Sequence, residues 1–421
     1  MTLDLVPLAD AVLPLIRTSR RDLWRYAASN EHGAQMRDAV TLLEVAIAAP
    51  EELVEEGVRP QTPAELYTTV HKALASALKV VARADDSAGI IGDVCRDLIA
   101  MHAPAVAAAQ VEPVKLADWV FDFHFDGEVD YFELDPVAYA PALGEEGLAR
   151  LRQRVEELRS ETRSVADGPV GGGHAAWILR WFDKRFAVLD RDVEAIVRTH
   201  LGDGRVAAWH EDVAEAFEEI GELDLAIEWA HRAMMFDRRH QARRASGHWW
   251  ELLEAHRPDA LPEAARTIFR RWPDDETGAR LVEVVGPEAA GEVQVLLEAH
   301  PAELVRFQLG TLRDVRLAWQ TAHRLHLGDD GVWWSLAQEY QAVDVAAALG
   351  VQVRVVAESL VVTNQRAYRP AAADLGRLRR VAREAGSTEA LALVDAAIAE
   401  LRERYRRRPT MIAAFDRAGL P

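Results

Sequence analysis

Asp122, Asp126, Asp130 and Glu133 stand at positions one, five, nine and twelve of an acidic register that puts Gly127 at six and Val129 at eight. Carboxylates at that spacing, with glycine at the sharp turn, are how a helix–loop–helix module surrounds calcium with oxygen ligands. Two residues depart from the pattern. His124 offers nitrogen at position three, and Pro136 interrupts the start of the exiting helix. The residues therefore admit two readings, a calcium loop or a turn whose polar side faces water, and the turn accounts for them without a metal. Calcium is the one cofactor this segment suggests.

The other reactive residue types carry less. Cys95 is the only cysteine, which excludes a disulfide framework and a thiolate zinc site, and its neighbours Gly92-Asp93-Val94 and Arg96-Asp97-Leu98 read as packing around a small buried thiol. Among fourteen histidines the closest pair on an expected helix is His323-x2-His326, which has no adjacent carboxylate and reads as surface or packing. Nucleophile elbows, phosphate-binding loops and dinucleotide fingerprints are absent. Catalytic residues: none are assigned. Arg404, Arg406, Arg407 and Arg408 form a basic run near the end of a chain whose net charge is -19. They read as a solvated helical end, with a partner-docking patch as the functional alternative.

These residues must be held by helices. Thr62-Pro63-Ala64-Glu65 combines an N-cap, a proline at the first helical position and a capping-box glutamate. Leu66, Val70, Leu74, Ala77, Leu78 and Val81 follow on one face, so a long core-facing helix is expected, ending at Asp85-Asp86-Ser87 before another at about 88–101. Phe121, Phe123 and Phe125 alternate with polar residues, and Val129 and Tyr131 resume the alternation beyond Gly127, which predicts a β-hairpin. Leu148, Leu151, Val155 and Leu158 mark an amphipathic helix after it. Asp167-Gly168-Pro169-Val170-Gly171-Gly172-Gly173 is the clearest linker.

Beyond the linker the chain repeats itself. Gly247-His248-Trp249-Trp250-Glu251-Leu252 recurs as Gly331-Val332-Trp333-Trp334-Ser335-Leu336, Leu252-Leu253-Glu254-Ala255-His256 recurs at Leu296 to His300, and Trp209 precedes Trp250. The separations fall near 42 residues or twice that, in the range of two-helix repeats. Ala214, Phe217, Gly221, Ala226, Ala230 and Ala233 have the small-residue spacing of a tetratricopeptide (TPR) unit. In each tryptophan pair one ring should pack inward and the other lie near a helix seam, because adjacent helical residues point about 100° apart. The expected fold is mostly α: an irregular α-solenoid of TPR-like pairs with an N-terminal helical domain and one small β-hairpin. The expected divisions are 1–110 helical, 111–166 hairpin plus amphipathic helix, 167–176 linker and 177–421 repeat array.

Composition bounds the function. The chain has 421 residues, 49 basic against 68 acidic, and 45 of the basic ones are arginine, a bias typical of GC-rich bacterial coding. A net charge of -19 repels polyanions over most of the surface, so nucleic acid is an unlikely general partner. No run is apolar enough to span a membrane, and the N-terminus has no secretory pattern, so a cytoplasmic location is expected.

Leu134-Asp135-Pro136-x2-Tyr139-Ala140-x2-Leu143-Gly144-Glu145-x-Gly147-Leu148, and Tyr368-x3-Ala372-x2-Leu375 with Leu401-Arg402-x2-Tyr405-Arg406-Arg407-Arg408-Pro409, resemble bacterial helical-repeat proteins of unknown activity. Relatives of that group occur downstream of SWIM zinc fingers. The resemblance covers roughly 115–421 and implies a helical-repeat array; with Cys95 alone, the finger itself does not carry over. The resulting expectation is a non-enzymatic scaffold or adaptor binding a protein partner, of open oligomeric state. The alternatives are a nucleic-acid accessory protein using the arginine run and an enzyme whose site is not visible as a motif.

Overall fold

Proline and short polar side chains cut this chain into helices. In the computed structural model, which describes residues 5–55, 57–125, 131–165 and 173–421, twenty-two α-helices and no sheet are found among the described residues. The nearest approach to strand pairing is an isolated parallel bridge between Val6 and Val58. No helix is long and apolar enough to cross a membrane among the described residues. Two compact units divide the chain, Met1–Trp229 and Ala230–Pro421.

The first unit holds α1 (Leu8–Ile16), α2 (Tyr26–Ala48), α3 (Glu52–Glu55), α4 (Pro63–Val81), α5 (Ile90–Ala109), α6 (Pro113–Phe123), α7 (Pro136–Val165), α8 (His174–Leu189), α9 (Val193–His200) and α10 (Ala207–Glu219); the division falls within α11 (Leu223–Met235). The expected start of α4 forms as read. Thr62 Oγ1 accepts from the Glu65 amide at 3.3 Å, and the Glu65 carboxylate accepts from the Thr62 amide at 3.0 Å. Such a box contributes about 1 kcal/mol. The apolar face of α4 then packs with α1, α2 and α5 around Met36, Val70, Leu74, Ile91 and Leu98.

The first arm of the predicted hairpin is helical, and no strand is found among the described residues. Glu112 caps a helix instead, its carboxylate accepting from the amides of Val114 at 3.0 Å and Lys115 at 3.1 Å, with Pro113 at the first position. Leu116, Ala117, Val120 and Phe121 are buried on one face of α6 at spacings of three and four. The alternating phenylalanines misled because α6 lies between two apolar clusters: Phe121 belongs to the second, while Trp119 and Phe123 pack against both. Aromatic residues two apart are thus covered without any strand. Of the hairpin's far arm, residues 126–130 lie outside the described residues, and Tyr131 is exposed.

α7 is kinked at Gly144, whose φ of 56° is left-handed. The kink turns the second half of α7 along α6. There Gly147 approaches so closely that a Cβ on it would stand 2.9 Å from the Pro113 carbonyl oxygen. Within the expected linker, 166–172 lie outside the described residues, and His174–Ala176 open α8, which packs on α7.

The second unit continues with α12 (His240–His256), α13 (Leu261–Arg271), α14 (Asp275–Val285), α15 (Ala290–Leu297), α16 (Pro301–Gly310), α17 (Val315–Arg324), α18 (Asp330–Tyr340), α19 (Val345–Ser359), α20 (Gln365–Glu384), α21 (Thr388–Arg404) and α22 (Pro409–Arg417). Asp314, Asp329 and Asp344 cap α17, α18 and α19, accepting from the amides of Leu317, Val332 and Ala347 at 2.9 to 3.0 Å. Neighbours pack in pairs, α13 on α14, α16 on α17 and α18 on α19, and α19 to α22 close around Leu349, Tyr368, Leu375, Val394 and Phe415.

Gly147→Ala tests the close approach of α7 to α6. It should destabilise the first unit by about 1–3 kcal/mol, because the blocking atom is backbone and cannot rotate away; denaturant unfolding against wild type measures it, and an unchanged midpoint would contradict the packing.

Candidate functional site

Tyr67 and His71 are one helical turn apart on α4, so both project toward α5. His102 on α5 meets them there. His71 Nδ1 lies 3.0 Å from His102 Nε2, and His102 Nδ1 lies 2.8 Å from the hydroxyl of Tyr139 on α7. Trp119 of α6 lies against this chain, its ring 5.1 Å from His71 and 4.7 Å from His102. Four helices thereby deliver five rings to one place. His102 and Tyr139 are fully buried, while Tyr67, His71 and Trp119 are half-buried and bring the cluster to the surface.

The direction of the hydrogen bonds follows from satisfaction. Among the described residues Tyr139 has no second partner, so its hydroxyl donates to His102 Nδ1; His102 then donates from Nε2 to His71 Nδ1, and His71 keeps its own proton on Nε2. The reverse direction would strand a buried hydroxyl hydrogen, at about 1–3 kcal/mol. Burial, reinforced by the neighbouring His71, pushes His102 down to about 3. Burial also lowers His71 and raises Tyr67 and Tyr139. Every member is therefore neutral at physiological pH. The chain can orient a proton and present His71 Nε2–H as a donor, but it does not hold an acid and a base poised near neutrality.

A second histidine lies at the end of α6. His124 is buried against Trp181 and Phe182, its Nε2 has no hydrogen-bond partner among the described residues, and burial pushes it down to about 4. Its carbonyl accepts from His174 at 2.8 Å. Glu133, also near Trp181 through a hydrogen bond, has its carboxyl raised by burial. The residues of the calcium register fare separately. Asp122 sits on α6, accepting from Arg154 at 2.8 Å; Asp126 and Asp130 lie outside the described residues.

A cleft of about 630 Å³ opens between α7, α8 and α9. Two of its arginines are already paired, Arg152 with Asp190 at 2.7 Å and Arg159 with Asp183 at 2.6 Å, and Arg198 stands exposed in its lining. Cys95 is fully buried and raised to about 12 by that burial, so its thiol is inert. In the second unit the arginine run is largely engaged. Arg404 pairs with Glu400 at 2.6 Å and Arg406 with Glu403, while Arg408 donates to the Leu360 carbonyl at 2.7 Å and lies over the Tyr405 ring. Arg407 is exposed. Exposed His323 stands edge-on to Trp333 at 4.9 Å, a packing contact.

Residues 35–171 match a family of unknown function (DUF6880). The match covers about a third of the chain and contains Tyr67, His71, His102, Trp119 and Tyr139. A search of curated proteins finds no match.

Sequence reading missed this cluster, because His71 and His102 are far apart along the chain and no motif links them. The one local signal was Tyr67 and His71 at helical spacing on the half-buried edge of α4.

Two outcomes follow. Tyr139→Phe leaves His102 Nδ1 buried without a partner and should cost about 1–3 kcal/mol in urea unfolding; no change would show that the bond contributes nothing. Acid should loosen the first unit. His102, His124 and His200 fall to about 3, 4 and 4 in the fold, below the ordinary 6.5, so the unfolded chain binds protons more readily. Their stabilisation is present above pH 6.5 and is lost progressively as pH falls toward 4, by a few kcal/mol on the order of each shift. Melting temperatures from pH 7.5 to 4.5 check this, and a flat profile would contradict it.

Proposed function

We propose that the chain is a non-enzymatic cytoplasmic adaptor that holds a protein partner on its second unit. The observation that carries this reading is the environment of the repeated tryptophan pairs. Trp249 and Trp333 are buried, whereas Trp250 and Trp334 are half-buried, with Arg280 lying 5.0 Å over the first ring and Arg377 lying 5.8 Å over the second. An indole half covered by core and half covered by guanidinium offers large contact area at low entropic cost, which is the composition of interface anchors. The arrangement occurs twice although the register differs, since Trp249 lies in the third turn of α12 and Trp333 in the first turn of α18.

The pairwise packing of α13 with α14, α16 with α17 and α18 with α19 supports an irregular, TPR-like stacking within this unit, as does the resemblance to helical-repeat proteins. In the first unit the buried histidines His102, His124 and His200 have their pKa pushed down, and many surface carboxylates are paired with arginine, which suits structure better than turnover.

The test immobilises the full chain and compares what it retains from a bacterial extract with what an Arg280→Glu/Arg377→Glu variant retains. One protein should be enriched by wild type and reduced about tenfold by the variant, a loss of about 1.4 kcal/mol, at an unchanged melting temperature. Equal retention, or retention of nothing, would overturn the reading.

A further inference from the structure

α20 carries six arginines against two acidic residues. Arg377 pairs with Asp374, and Arg379 reaches Asp395 on α21. The other four do neither. Arg366, Arg369, Arg380 and Arg383 are exposed and have no carboxylate partner among the described residues. At 100° per residue they share an arc of about 100° with Ala373 and Gly376, so the helix presents a stripe: two arginines, a small-residue saddle, two arginines. The stripe is roughly 25 Å long from Arg366 to Arg383 at 1.5 Å per residue.

Around its second half the surface is hollow. A depression of about 480 Å³ is bounded by Ala373, Gly376, Arg380, Arg383, Gly419 and Leu420, with no carboxylate in its lining. Trp334 adjoins the same helix through Arg377, which lies over its ring. In a chain of net charge -19, four like charges in line repel one another, and Glu384 at the end of α20 is the one carboxylate this helix adds to that face. The four arginines are in place for an anion from outside.

We propose that this stripe binds an acidic segment of a partner protein, whose carboxylates pair with Arg366, Arg369, Arg380 and Arg383 across the Ala373–Gly376 saddle. The proposal rests on the adaptor reading and names the partner's chemistry. Length fits: roughly seven or eight extended residues at about 3.3 Å each span the stripe. Charge selects a short acidic segment over a long nucleic acid. Screening over about 8 Å isolates a local contact from the rest of the surface, whereas a polyanion running past the stripe meets the chain's negative field. The saddle admits peptide backbone close to the helix, and Trp334 supplies an apolar neighbour.

Fluorescence anisotropy with a labelled ten-residue glutamate–aspartate peptide tests this on the full chain, with a single-stranded DNA of similar charge as comparator. Wild type should bind the peptide at roughly 50 mM salt and weaken at roughly 300 mM. Arg366→Glu/Arg369→Glu and Arg380→Glu/Arg383→Glu should each lose about tenfold or more in affinity, while Arg404→Glu/Arg406→Glu stays within about twofold, because those side chains are already paired. No peptide binding by wild type, or full binding by both stripe variants, overturns the proposal. DNA bound more tightly than peptide through the same four arginines overturns the acidic-protein assignment in favour of nucleic acid. If extract capture persists while the stripe variants and wild type bind peptide alike, the stripe assignment fails and the adaptor reading stands. If the peptide binds through the stripe but capture fails, the adaptor reading falls alone.

Discussion

Arginine–carboxylate pairing between neighbouring helices is the interaction on which this molecule depends. No sheet ties distant segments together among the described residues, so helices are joined by apolar faces and by guanidinium groups that reach across them. Arg154 holds Asp118 and Asp122 of α6 from α7, both at 2.8 Å. Arg185 of α8 holds Asp135 before α7 at 2.7 Å and Glu219 of α10 at 2.5 Å, and its own side chain is mostly buried. The planar fork suits this work, because one arginine can satisfy two carboxylates in fixed geometry where a lysine is a point charge. Exposed pairs contribute under about 1 kcal/mol each; their value here is in fixing which helices meet. With 68 acidic residues available, many arginines find a carboxylate partner among the described residues. Others, Arg37, Arg180, Arg198 and Arg316 among them, do not; what sets α20 apart is that four such arginines stand in line on one helix face.

Histidine follows the opposite rule in the first unit. His32 and His102 are buried with their nitrogens spent on neighbours: His32 on the Ile16 carbonyl at 2.9 Å, His102 on Tyr139 and His71. A neutral buried network fixes helix orientation only if every member is satisfied. The chain through His102 meets that condition in one direction alone, so it specifies how α4, α5 and α7 face one another. His124 departs from the rule, with Nε2 buried and without a partner among the described residues.

Where the local signal agreed with the fold, the sequence was readable. Thr62-Pro63-x-Glu65 opened α4 as its chemistry requires, Cys95 is the buried thiol its neighbours implied, and each tryptophan pair divides into an inner and a half-covered ring. Phe121, Phe123 and Phe125 misled because period-two alternation also arises on a helix covered from two sides; Glu112-Pro113 was the competing cap signal. Asp314, Asp329 and Asp344 marked three helix starts at even spacing and went unread. In the run Arg404 to Arg408, Glu400 and Glu403 stand about one turn from Arg404 and Arg406 and pair with them. A helix displays charge as a stripe, and Arg366, Arg369, Arg380 and Arg383 are dispersed along the sequence in the way a stripe must be. The contact of His71 with His102 depends on which helices meet, which no local pattern encodes.

A molecule whose helices are joined by paired arginines, and in which α20 lines up four without a carboxylate partner among the described residues, is built to receive negative charge at that helix. Arginine footprinting with a dicarbonyl reagent, read by mass spectrometry with and without an acidic peptide, measures this directly. Arg366, Arg369, Arg380 and Arg383 should react well before Arg154, Arg185 and Arg379, and the peptide should protect the first four alone. Equal reactivity across both groups, or protection that falls elsewhere, would contradict it.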